Sequence, residues 1–152
     1  MTKKTFQTLQ DLAACVGQEV AVSDWIAITQ EQVNQFAEAT GDHQWIHVDP
    51  SRAAVGPFGS TIAHGYLTLS LVPMLVSDVY EIDGVRMGVN YGVDKVRFPA
   101  PVPVGSELRA GIQLLSVEPG SGGYRVSDLI TIERKGSDKP VCVVEALFVM
   151  VP

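Results

Sequence analysis

Asp42 and His47 stand five residues apart in the segment GDHQWIH, between an amphipathic stretch that closes at Gly41 and a turn at Pro50. A carboxylate facing an imidazole is a proton-transfer pair. With ordinary pKa values of about 3.9 and 6.5, one is a ready acceptor near neutrality and the other works in both directions. Further along, His64-Gly65 opens a long apolar run, where an unpaired backbone N–H and the positive end of a helix dipole would face a developing negative charge. Gly65 lets a ligand come close to that backbone. Read alone, Asp42 is better explained as a turn residue bonding loop N–H groups. The company of His47, His64 and Gly65 is what favours chemistry.

The neighbouring residues carry plainer readings. His43 reads as solvent-facing, Asp49 before Pro50 as a turn or cap residue, and His64 as orienting the loop or touching a ligand. Trp45 and Tyr66 read as packing residues able to wall a pocket. His43 and His47 have the i, i+4 spacing of a zinc-binding helix, but Gln44 stands where the base of such a motif would be, and Gly41 and Pro50 leave too little helix. No metal and no cofactor are expected. Arg52, Arg86, Lys95 and Arg97 are read either as contacts for anionic phosphates or as a solvated face.

The elements that must position these residues follow from periodicity. An N-terminal arm over 1–28 has Leu9, Leu12 and Val16 at helical spacing and Val20 and Val22 alternating as in a strand. Thr29-Gln30-Glu31-Gln32 has the pattern of a capping box, followed by Val33, Phe36, Ala37 and Thr40 on one helical face. Gly41 ends that helix, and Pro50–Ala54 is expected as one helical turn. From His64 to Val79 apolar residues occur all round, so a helix there must be wrapped, with a bend at Pro73. After Asp83-Gly84 the period changes to two over Met87, Val89, Tyr91 and Val93, over Leu108 to Leu114, and over Tyr124 to Arg134, with Val141 to Val151 as a last strand. Pro99, Pro101 and Pro103 make a stiff connection, and turns fall at Gly105, at 119–123 and at 136–138. Consecutive strands after one apolar helix predict an α+β fold, an antiparallel sheet curled around that helix, with the Asp42–His64 loop at the rim. An exposed sheet edge predicts a homodimer.

The totals set limits. A chain of 152 residues, 46% hydrophobic and 18% charged, is expected to form one domain over 1–152 with a sizeable core. A net charge of −6 with scattered basic residues argues against nucleic acid and anionic membrane as partners. Cys15 and Cys142 match no metal or redox spacing and are read as free core thiols. No secretory segment is visible, and the uncharged run 53–77 is too broken by Gly and Pro to span a bilayer. A cytoplasmic setting is expected.

FAEATGDHQWIHVDPSRAA, then IAHGYLTLSL, then VDKVRFPAPVPVGSELRA, resembles the MaoC-like dehydratases and (R)-specific enoyl-CoA hydratases of hot-dog fold, from about Thr29 to the C-terminus. The resemblance implies that Asp42 and His47 are the catalytic pair and that the Gly65 N–H holds a thioester carbonyl beside His64. It also implies an acyl-CoA thioester as the ligand, with Trp45 and Tyr66 lining the acyl pocket. Gln44-Trp45 replaces the family's usual Asn-Pro, a variant similar to nodulation protein N. A serine that supports the aspartate in some relatives is here Ser70, or is absent at Pro73. Hydration of a trans-2-enoyl-CoA needs a base for water, an acid for C2 and donors for the thioester oxygen. A hot-dog thioesterase is the alternative enzyme, although no carboxylate lies between His64 and Ser77, where those relatives carry one. The non-enzymatic alternative is an acyl-thioester-binding dimer. Pocket depth depends on how Trp45, Phe58, Tyr66 and Met74 pack.

Overall fold

The computed structural model describes residues 3–152, so the first two residues of the expected arm lie outside it. Strand β1 (Lys4–Phe6) leads into helix α1 (Leu9–Ala13), strand β2 (Glu19–Val22) and the short β3 (Ile26–Ala27). Helices α2 (Gln30–Thr40), α3 (Trp45–Val48), α4 (Pro50–Ala54), α5 (Gly65–Ser70) and α6 (Val72–Ser77) follow. The chain closes with β4 (Tyr80–Ile82), β5 (Met87–Arg97), β6 (Glu107–Gly120), β7 (Gly123–Arg134) and β8 (Pro140–Val151). The main sheet runs β2-β6-β7-β8-β5, with β3 also on β6, and every pairing in it is antiparallel. Its curl around α5 and α6 is the α+β hot-dog arrangement expected.

Period-two alternation builds the inner face. Leu108, Ala110, Ile112 and Leu114 of β6 are fully buried. They continue as rows across the sheet, as in Ile112↔Ile130↔Val144, and meet Leu67, Leu71, Leu75 and Val76 of the helices in one cluster. Burying each such Leu, Ile or Val contributes roughly 1.5–3 kcal/mol. Leu9 and Leu12 of α1 join it as expected, whereas Val16 lies past the helix end and is exposed.

Several local expectations change. The apolar helix from His64 to Val79 is two helices meeting at Leu71, because Pro73 has no N–H to return to an earlier carbonyl and sits instead in the first turn of α6. Nor is it wrapped on every face: Tyr66, Pro73 and Met74 are exposed. Thr29 caps α2 by accepting from Gln32 N at 3.1 Å, with no reciprocal bond from Gln32. The complete capping box belongs to Thr8 and Asp11 on α1. β1 and β4 form a separate parallel pair, Lys4↔Tyr80 to Phe6↔Ile82, that periodicity did not predict. Among the described residues no helix is long and apolar enough to cross a membrane.

One inner position breaks the apolar rule. Asp128 lies between Leu114 and Ala146 in its row and is fully buried. Tyr80 Oη donates to its Oδ2 at 3.0 Å, and its Oδ1 has no partner. Burial pushes its pKa up to about 7, against the opposing pull of the Tyr80 bond. Because the folded value exceeds the unfolded one, near 3.8, the protonated acid favours the fold, and that contribution is lost as pH rises from about 4 through about 7. Asp128→Asn, neutral throughout, is expected to melt a few degrees above wild type at pH 8, at about 2–4 °C per kcal/mol, and to match it near pH 4. Calorimetry across that range showing parallel curves would remove the argument.

Candidate active site

The site begins with the turn after α2. Gly41 takes a left-handed φ of 84° and closes the helix through a bond to Ala37 O, which swings Asp42 out of the helix axis. Asp42 Oδ1 then accepts from Gln44 N at 3.3 Å, so the turn-residue reading of Asp42 holds. The four-residue α3 carries His47 inward until it is only 6% exposed. Asp49 caps the next helix by accepting from Arg52 N at 3.1 Å.

His47 is held by a strip of backbone that carries no signal in the sequence. Its Nδ1 donates to Ile62 O at 2.7 Å, while Ile62 N donates to Ile46 O at 3.0 Å. The strip is fixed from the other side: Ala63 N bonds Val102 O, and Val104 N bonds Thr61 O. Gln30 ties the two together, its Nε2 donating to His47 O at 2.8 Å and its Oε1 accepting from Thr61 Oγ1 at 2.6 Å. With the proton on Nδ1, Nε2 of the neutral ring is an acceptor. Burial is the largest influence on His47 and drives its pKa below the ordinary 6.5, outweighing the bond to Ile62; His64 lowers it further and Asp42 raises it.

His64 completes the cluster. Its ring stacks on His47 with centroids 3.9 Å apart, and Phe36 packs on its other side at 4.9 Å. His64 Nε2 donates to the main-chain oxygen of Asp42 at 3.0 Å, which pins the aspartate's backbone. Donor atoms of Asp42, His47 and His64 all lie within 4.8 Å of one another, a set that could hold a metal ion. Each histidine has one ring nitrogen bonded to a main-chain oxygen, His47 Nδ1 to Ile62 and His64 Nε2 to Asp42, and one nitrogen left over. His43 stands apart from this cluster, half-exposed and 3.7 Å from Glu38.

A cavity of about 320 Å³ opens beside His47, with Gly65, Phe58, Phe98 and Thr68 among its walls. Of the expected substrate contacts, Gly65 lies on it. His64, Trp45 and Tyr66 do not line it, and neither does Asp42: His64 is turned to Asp42 O, Trp45 packs under Arg52 and against Gly56, and Tyr66 is exposed with its ring edge-on to Phe98. Gly65 gives Phe98 room to pack, since the ring would lie a tight 3.0–3.2 Å from a Cβ at that position. Ser70 does not support Asp42, because its hydroxyl bonds Tyr66 O within its own helix. Thr68 and Phe98 were missed in the sequence. A hydroxyl on the buried face of an apolar helix was the available signal for the first, and the stretch of extended prolines hid the second.

Comparison with known proteins gives this geometry a family. A model of the MaoC-like domain matches residues 11–129. The chain is 57% identical over 145 residues to 3-hydroxyacyl-thioester dehydratase Z of Mycobacterium tuberculosis, covering 95% of this chain and 96% of that protein. The chain belongs to the MaoC-like dehydratase family. Nodulation protein N of Rhizobium leguminosarum bv. viciae is 43% identical over 88% of this chain and 84% of its own. Among solved structures, the unliganded R-hydratase PhaJ1 of Pseudomonas aeruginosa superposes with a TM-score of 0.72 and 27% identity, over 90% of this chain and 81% of that one.

The His47 assignment is open to direct measurement in this family member. Its imidazole, followed by NMR, should titrate with a midpoint below 6.5 and show the Nδ1-protonated tautomer in the neutral range. A midpoint at or above 6.5 would mean that the bond to Ile62, and not burial, governs the ring.

Proposed function

We propose that this protein catalyses the reversible hydration of trans-2-enoyl-CoA to (R)-3-hydroxyacyl-CoA, as a hydro-lyase. The observation that carries the reading is the convergence of an exposed carboxylate and a buried imidazole, donor atoms within 4.8 Å, with the imidazole on the wall of a largely apolar cavity that reaches Gly65. One water bridges groups at that spacing. Asp42 and His47 between them take a proton from this water as its oxygen adds to C3, and deliver one to C2, so that both end as they began. Negative charge gathers on the thioester oxygen, and the Gly65 N–H, at the start of α5 with no helical carbonyl to bond, receives it. The (R) stereochemistry and the acyl-thioester class rest on the names of the relatives above. Neither α5 nor α6 contains a carboxylate, which disfavours the thioesterase alternative.

Loss of crotonyl-CoA absorbance is the assay. Asp42→Asn and His47→Ala should each lower kcat by about 10²–10⁴-fold, with little change in melting temperature for Asp42→Asn and a lowered but still cooperative melt for His47→Ala, which vacates a buried ring and leaves Ile62 O unpaired. Full activity in both variants would reject the pair.

The working unit is a homodimer built on β5. Among the described residues that strand pairs only with β8, and it exposes Met87, Val89, Tyr91 and Val93, a long apolar edge that a lone chain would leave open to association. Val89→Lys combined with Tyr91→Lys should shift the sedimenting species from dimer to monomer; an unchanged dimer would place the interface elsewhere. The two cysteines form no disulfide, in keeping with a reducing, cytoplasmic setting.

A further inference from the structure

The described residues contain few buried polar atoms without a partner, and one lies on the wall of the reaction cavity. Thr68 is 1% exposed, and its Oγ1 makes no hydrogen bond. A threonine inside a helix usually returns its hydroxyl to the carbonyl four residues back. Here that carbonyl, His64 O, receives only the Thr68 N–H, at 3.2 Å. His64 Nδ1, the other unpartnered atom on this turn, is not within bonding distance of the hydroxyl, since both remain unpaired. Valine would fill the same space without burying an unmatched hydroxyl. The remaining walls of the cavity, such as Phe58, Ile62, Phe98 and Val102, are apolar, so His47 and Thr68 are the polar side chains that line it.

Direction follows from helix geometry. A helical side chain leans toward the N-terminus and covers the turn before its own Cα. The Thr68 side chain therefore leans toward Gly65, which lines the same cavity. Resting on the hydratase reading above, we propose that the Thr68 hydroxyl is a second donor to the thioester carbonyl oxygen, acting beside the Gly65 N–H. A hydroxyl left unsatisfied in the empty protein gains its partner when substrate arrives. Its bond strengthens as charge moves onto that oxygen, so the residue acts on kcat more than on KM.

Two conservative variants separate this from packing. Thr68→Val keeps the shape and removes the donor, whereas Thr68→Ser keeps the donor and removes a methyl group. With crotonyl-CoA, T68V should lose about 10- to 100-fold in kcat with KM little changed, less than the 10²–10³ recorded for loss of a principal oxyanion donor. T68S should stay within about threefold of wild type, on the same view that the donor carries the effect. Equal losses in T68V and T68S, or a loss that tracks melting temperature, would overturn the proposal in favour of a packing role. Saturated butyryl-CoA, which cannot be hydrated, gives a readout independent of turnover. The infrared carbonyl stretch of the bound thioester should lie at lower frequency in wild type and T68S than in T68V. An identical frequency in all three rejects the second donor. A frequency difference in a protein that hydrates no enoyl-CoA would keep the donor and sink the hydratase reading instead.

Discussion

The bond from His47 Nδ1 to Ile62 O is the constraint on which the site depends. It places the proton on the inner nitrogen, leaves the outer one as an acceptor, and fixes the ring's rotation. An imidazole without that partner could flip or tautomerise, and the basic nitrogen would then face the wall. The carbonyl can serve only because its own segment is immobilised, by Val102 and Val104 on one side and by α3 and Gln30 on the other. Four stretches far apart in sequence thus act on one nitrogen. The extended, proline-rich connection before β6 is the brace of the histidine rather than a spacer between strands.

Burial sorts the titratable groups. Asp42 is exposed and accepts from Gln44 N, while His47 is buried and held below its ordinary pKa. Asp128 obeys the same physics with the opposite result. A carboxyl set in an apolar row is driven toward its neutral form, and with Tyr80 it makes a polar contact in the core that stands apart from the reaction cavity. A raised pKa marks burial here, and does not by itself mark chemistry.

What the sequence revealed was what local chemistry decides. Gly41 had to end α2, Pro50 had to begin α4, and the alternation in β6 and β7 had to face a core, because each depends on φ or on a period of two. Asp42, His47 and Gly65 were legible as types at a spacing. What remained hidden depends on partners brought from afar. Lys4 pairs with Tyr80 across a separate parallel ladder, and the Ile62 carbonyl carries no side-chain signal at all. Trp45 looked like a pocket wall because it is aromatic and adjacent to the motif. Its ring is instead captured by Arg52 and by the space that Gly56 leaves, neither of which spacing could order.

Gly65 shows how one residue can satisfy two demands. Absence of a side chain was read as room for a ligand, yet the volume a Cβ would occupy is already filled by the ring of Phe98. The two explanations reinforce one another. An aromatic ring laid against the first turn of α5 keeps water from the amide, and a hydrogen bond formed there acts in a medium far less polar than solvent. Phe98 is itself 41% exposed and touches Tyr66 edge-on, so the cover is a surface side chain rather than part of the core. The glycine therefore lets an apolar ring sit close to the first turn of α5, and in the proposed reaction the same small residue is what gives a thioester oxygen access to the backbone N–H.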